Sequence, residues 1–183
     1  MKTMLFGIVL LIIAAVGGYK YYDKLVPPIE EFTQYYVNSA YGIAFEYPDT
    51  YTLLEEDTGT GERYRYTIVL VDKELHANLP QNGEGPPSIT LEFFQNNLDQ
   101  ISIEDWVRGT AFSNFKLSLD GVLKPATVGN APALSYAWDG LYPAESTVFA
   151  HKSNIIMASV TFLTPEDHIR DDFKNILSTV ELR

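Results

Sequence analysis

The chain has 183 residues, with 13 Lys plus Arg against 24 Asp plus Glu and a formal net charge of −11. An acidic chain repels phosphate backbones and anionic headgroups, which sets nucleic acid aside as a partner. There is no cysteine, which excludes disulfides, thiolate zinc sites, cysteine nucleophiles and a lipid-modified N-terminal cysteine.

Met4 to Gly18 (MLFGIVLLIIAAVGG) carries no charge and is almost wholly apolar. Lys2 precedes it, and Tyr19, Tyr21 and Tyr22 extend it with rings suited to a membrane interface. Counted through Tyr22, the stretch reaches the roughly 20 residues that a spanning helix needs. A cleaved secretory signal ending near Ala15-Val16-Gly17 is the competing reading; the aromatic continuation favours a retained anchor over residues 1–24. The bilayer is then a partner through residues 4–22. Lys2 on a short N-terminus places that end in the cytoplasm and the remainder outside it. Up to Ala40 three lysines balance three acids, so the whole charge excess falls later.

Residues 25–40 read as a tether stiffened by Pro27-Pro28, in which Ile29–Val37 admits a short helix, or Tyr35 and Tyr36 lie against the domain. The folded domain, 41–183, opens with the alternation Ile43, Phe45, Tyr47, closed by Pro48. A second strand is expected near Tyr51–Glu55, and Asp57-Thr58-Gly59-Thr60-Gly61 is turn chemistry. The strand Arg63–Asp72 becomes apolar on both faces, which predicts a central position. Lys73–Pro87 reads as a long loop, and Ser88–Gln95 as a returning strand. Ser102, with Asp105 three residues on, caps a helix bearing Ile103, Trp106 and Val107. From Lys116 onward come strands joined at Asp120-Gly121, Gly129-Asn130, Asp139-Gly140 and Ser153-Asn154, the third being the strongest hairpin signal. After the strand Ile155–Phe162, Thr164-Pro165-Glu166-Asp167 is expected to start a helix, and Thr179–Leu182 a short edge strand. Hairpin-joined strands with helices in the middle and at the end predict an α+β fold, an antiparallel sheet carrying helices, preceded by a transmembrane helix.

Three stretches carry a resemblance: Tyr-Gly-Ile-Ala-Phe-Glu-Tyr-Pro at 41–48, Ile-Ser-Ile-Glu-Asp-Trp at 101–106, and Phe-Lys-Asn-Ile-Leu-Ser-Thr-Val-Glu-Leu at 173–182. Over about Tyr41 to Arg183 the chain resembles the PsbP-like family, which includes the extrinsic photosystem II protein and many membrane-attached bacterial proteins. The resemblance implies an α-β-α sandwich, an antiparallel sheet with helices packed on both faces, a fold shared with a Ran-binding nuclear import factor. It also implies a non-enzymatic binding or assembly role. No metal or partner residue carries over by position. Many bacterial relatives look like lipoproteins; without cysteine, attachment here falls to the helix.

His76, His151 and His168 lie far apart in sequence and offer no metal-ligand spacing. Glu55-Glu56-Asp57 beside a glycine turn is the one candidate cation site, and it lacks the alternating ligands of a calcium loop. Neither a nucleophile elbow nor a phosphate-binding glycine loop occurs, so neither a catalytic residue nor a cofactor is assigned. The aromatic surplus is the candidate interaction surface: Tyr51, Tyr64, Tyr66, Trp138 and Tyr142, with Leu79 and Pro80 of the long loop. The expectation is a membrane-anchored, extracytoplasmic, non-catalytic interaction module that positions another envelope or membrane protein. The alternatives are a cell-wall glycan-binding domain using the same tyrosines and, behind it, a carboxylate-based hydrolase.

Overall fold

The structure, a computed structural model, describes residues 33–61, 64–79, 84–96 and 100–183. The expected anchor (1–24), the first part of the tether and Pro80 lie outside these residues. Among the described residues no helix is long and apolar enough to cross a membrane.

Among the described residues ten strands form two antiparallel sheets. A seven-stranded sheet runs in the order β3 (Tyr51–Thr58), β4 (Arg65–Asp72), β5 (Ser88–Gln95), β9 (Asn154–Thr161), β8 (Pro143–His151), β7 (Ala131–Asp139), β6 (Lys124–Val128). A three-stranded sheet runs β1 (Thr33–Asn38), β2 (Ile43–Pro48), β10 (Glu181–Leu182). Strict alternation along β5, β9 and β8 divides the large sheet's side chains into two buried sets. Phe93, Ile156 and Phe149 face one side, with Ile43 and Phe45 of β2 and Phe173 and Ile176 of helix α3 (Ile169–Thr179). Phe94, Met157 and Val148 face the other, under Trp106 and Val107 of helix α2 (Ile103–Gly109) and Phe115 of a 3-10 turn. Helices therefore lie on both faces, one of them sharing its face with the small sheet.

Several boundaries differ from those expected. Thr33–Asn38, assigned to the tether, is a strand: its β-branched and aromatic residues pair with β2 from Thr33↔Pro48 to Asn38↔Ile43. The Lys73–Pro87 loop begins as a short helix, α1 (Lys73–Ala77), because Asp72 accepts hydrogen bonds from the amides of Glu74 and Leu75 at 2.9 and 3.0 Å. The last helix starts at Ile169 and not at Thr164. Asp167 instead closes a turn, accepting from the amides of Leu163 and Thr164 at 2.6 and 2.9 Å. β4 is internal but one strand in from the edge; β9 holds the middle. The Ser102 cap forms as expected, accepting from the Asp105 amide at 3.1 Å.

Gly42 closes the β1–β2 turn with φ +66°, a conformation that side chains resist. A Cβ there would stand 2.5 Å from the Arg183 carbonyl oxygen and 2.2 Å from Lys152 Nζ. Gly42→Ala is expected to cost about 2 kcal/mol, from backbone strain together with the displaced C-terminus. A thermal melt against the parent protein checks this; an unchanged midpoint would show that the C-terminal contact is not part of the folded core.

Candidate functional site

The small sheet brings together residues that sequence reading had separated. β1 lies across β3 and β4 so that Tyr36, Asn38, Glu55 and Tyr66 converge. The hydroxyls of Tyr36 and Tyr66 both donate to the Glu55 carboxylate. They stand 3.0 Å apart, and Asn38 Nδ2 donates to each at 3.1 Å. Each phenol thus gives one hydrogen bond to an anion and receives one from an amide, a complete set of partners. The Tyr41 ring stacks on Tyr66 with centroids 4.7 Å apart and leans on Phe93 at 4.5 Å. Tyr64 donates to Asp57 at 2.8 Å. At the rim Tyr35, 51% exposed, accepts from Arg183 Nη2 at 2.5 Å, and Arg183 also donates to Glu181 at 2.6 Å.

The electrostatics follow from these bonds. Donation from Tyr36 and then Tyr66 holds the Glu55 carboxyl below its ordinary value. Burial, then donation to Glu55, raises both Tyr36 and Tyr66. Asp57 pushes Tyr64 up to about 12. The cluster therefore carries carboxylate charge and neutral phenols at physiological pH.

The sequence-predicted residues scatter among different fates. Tyr64 and Tyr66 belong to this cluster. Tyr51 does not: it is 3% exposed and donates to Asp172 at 2.7 Å beneath α3, a core position that corrects its assignment to the surface platform. Trp138 is half-buried, its indole N–H donating to Ser146 at 2.9 Å. Tyr142 donates to the Gly85 carbonyl at 3.1 Å, at the opposite end of the large sheet from Tyr64. Leu79 is exposed just after α1. Of the candidate cation ligands, Glu55 and Asp57 share one face of β3 and Glu56 points to the other, where Thr58 donates to it. Among the described residues no three acidic, histidine or cysteine side chains gather as a metal site. Both carboxylates on the shared face are already taken by tyrosine hydroxyls. Tyr35, Tyr36 and Asn38 were missed as site residues because they were read as tether; their β-propensity beside the opening strand was the available signal.

Glu92, half-buried on the other face, is the one carboxyl raised among the described residues. Burial outweighs the opposing Arg65 guanidinium, which bonds it at 2.5 Å and lies over the Phe112 ring. This pair is a half-buried structural bridge.

Comparison with solved structures fits this architecture. The chain is similar to the solution structure of cyanobacterial PsbP (CyanoP) from Synechocystis sp. PCC 6803, with a TM-score of 0.55 and 11% identity over 86% of this chain and 96% of that one. The fold is PsbP-like. A crystal structure from Bacteroides thetaiotaomicron VPI-5482 matches with a TM-score of 0.48 and 10% identity, over 82% of this chain and 48% of that one. No family model matches the sequence, and no curated protein does. At such identities the likeness speaks for the fold alone.

Two outcomes are expected. Because the Glu55 carboxyl is lowered in the folded state, its contribution to stability is complete above its ordinary value near 4.5 and disappears as pH falls through the folded value. The gap in urea midpoint between the parent and Glu55→Gln should therefore be present at pH 7 and close on acidification below about pH 4; a gap independent of pH would rule out a role for the charge. Tyr51→Ala should cost about 3 kcal/mol of stability, as an aromatic deletion from a core does. Chemical denaturation measures that loss, and a near-neutral result would return Tyr51 to the surface.

Proposed function

We propose that this chain is a membrane-anchored, extracytoplasmic, non-catalytic interaction module of the PsbP-like family, held in the bilayer through residues 4–22 with its N-terminus in the cytoplasm. The domain binds and positions another envelope or membrane protein through the tyrosine and carboxylate face of β1, β3 and β4. The observation that supports this reading best is the internal hydrogen-bond closure of that face. Tyr36, Tyr66, Asn38 and Glu55 are held by one another, so a partner need not bear the entropy cost of ordering them. On the outer side of β1 Tyr35 and Val37 are exposed, and Asp57, on the cluster's side of β3, supplies negative charge. Tyrosine anchors ringed by charge suit a partner surface with a basic segment.

The same geometry favours a protein over a glycan. The faces of Tyr41 and Tyr66 are spent on each other and on Phe93, leaving few open rings for a sugar to stack on. A carboxylate-based hydrolase has less support still, since the one raised carboxyl among the described residues, Glu92, is bound to Arg65.

Photo-crosslinking in intact cells tests the proposal. A benzophenone side chain at Tyr35 should capture a discrete membrane or envelope protein, and one at exposed Ser178 on α3 should not. The captured protein should bind a Tyr35→Ala domain about tenfold more weakly than the parent, a hot-spot loss near 1.4 kcal/mol, without a shift in melting temperature. Fractionation alongside should find the full-length protein in membranes and open to added protease. A soluble chain, or equal capture from Tyr35 and Ser178, would overturn the reading.

A further inference from the structure

The exposed aliphatic side chains are distributed unevenly along the large sheet. One end is defined by the start of β3, the end of β4, the β7–β8 hairpin and the end of β9, since Tyr51 pairs with Asp72, Asp139 with Pro143 and Ala144 with Thr161. Six leucines protrude there. Leu75 and Leu79 lie on and just after α1, Leu141 (69% exposed) in the hairpin loop, Leu163 (62%) just past β9, and Leu117 and Leu119 (88%) on the segment leading to β6. Leu119 joins Trp138, Pro143 and Phe162 around an open cavity of about 440 Å³. Phe162 N–H donates to the Pro143 carbonyl at 3.1 Å, tying Leu163 to the hairpin. At the opposite end, the turns at Gly59, Gly129 and Ser153 themselves bear none among the described residues, and the exposed large aliphatics near them are two, Ile101 beside Asn96 and Val37 on β1.

Thr33 belongs to the leucine end as well. It pairs with Pro48, two residues before Thr50, whose carbonyl accepts from the Lys73 amide at 2.9 Å. The preceding chain, with its apolar run Met4–Gly18, joins the domain at this end. From Tyr22 to Thr33 an extended chain covers at most about 40 Å, so a chain anchored through residues 4–22 is able to bring this end to the bilayer surface.

We propose that this end of the sheet is a membrane-contacting surface, with Leu119, Leu141 and Leu163 at the tips of loops that dip into the interface of an electrically neutral bilayer. The inference rests on the membrane-anchored reading above. Single leucines on separate loop tips, beside a half-buried tryptophan and a tyrosine, are a pattern that a lipid interface accepts and a closed protein core does not require. Neutral headgroups are specified because Asp120, Asp139, Glu166 and Asp167, close to the leucines along the chain, outnumber Lys73 and Lys116 there and repel anionic lipid. The tyrosine face, near Arg65 and Gly42 towards the other end, then points away from the bilayer and towards a partner.

The absence of cysteine allows single-site labelling of the full chain. Leu141→Cys, Leu163→Cys and, at the far end, Ser153→Cys each carry an environment-sensitive fluorophore; all three positions are exposed, so folding tolerates them. The proteins are reconstituted with phosphatidylcholine vesicles, and flotation is followed together with emission. Support is a blue shift at 141 and 163, quenched by brominated-chain phosphatidylcholine, with Ser153→Cys remaining aqueous. A chain that floats while all three labels stay aqueous overturns this inference and leaves the anchored reading standing. A chain that does not float, with aqueous labels, overturns both. A blue shift that grows with protein concentration without vesicles makes the patch a self-association surface and overturns the lipid assignment.

Discussion

The strands β5, β9 and β8 bury apolar side chains on both of their faces, Phe93, Ile156 and Phe149 on one and Phe94, Met157 and Val148 on the other. Water has to be kept from both, and no single layer can do it. α2 and the 3-10 turn cover one side. The other is wide enough to need α3 together with a second sheet. β2 carries most of that second task, because Ile43 and Phe45 are completely buried while its two edges are satisfied by β1 and β10. Thr33 and Arg183 are thereby both drawn to one small sheet, Thr33 pairing with Pro48 at one end of β2 and the Arg183 amide donating to the Gly42 carbonyl at the other.

That arrangement generates the tyrosine and carboxylate cluster. β1 is an outer strand of the small sheet and β3 an outer strand of the large one among the described residues. Charged side chains such as Glu55, Glu56 and Asp57 are a usual means of keeping an edge strand from pairing with a stranger. Here Glu55 has a second task, since it joins the two sheets through Tyr36 and Tyr66. A set of partners this complete is rigid without being buried, which is what a recognition surface needs. The polar bonds at Tyr51 and Trp138 are of another kind: they satisfy groups that the core has enclosed.

Periodicity made most of the elements legible. Alternation in 43–48, 65–72 and 88–95, the turn residues at Gly129-Asn130 and Asp139-Gly140, and the Ser102 cap all point to structures that are present. Legibility failed where tertiary contact overrode local signals. Prolines at 27 and 28 made the following residues read as tether, though Tyr35, Tyr36 and Val37 have the composition of a strand and needed only β2 beside them. Thr164-Pro165 resembled a helix start, yet Asp167 spent its oxygens on the preceding turn. At the site, Tyr64 and Tyr66 were visible as part of an aromatic surplus. Tyr51 was indistinguishable from them until the position of α3 was known.

The sequence by itself determined the α+β class, the acidic and cysteine-free chemistry, and the apolar run at 4–18, because composition and period are local properties of the chain. Only the tertiary structure decided which tyrosines meet a carboxylate, which are core, and that six exposed leucines share one end of a sheet with Thr33. Those facts depend on strand order and on the packing of one sheet over another. Residues 55 and 66 meet across the β3–β4 hairpin, and residue 36 joins them only where the small sheet packs over the large one, a contact that no local pattern encodes.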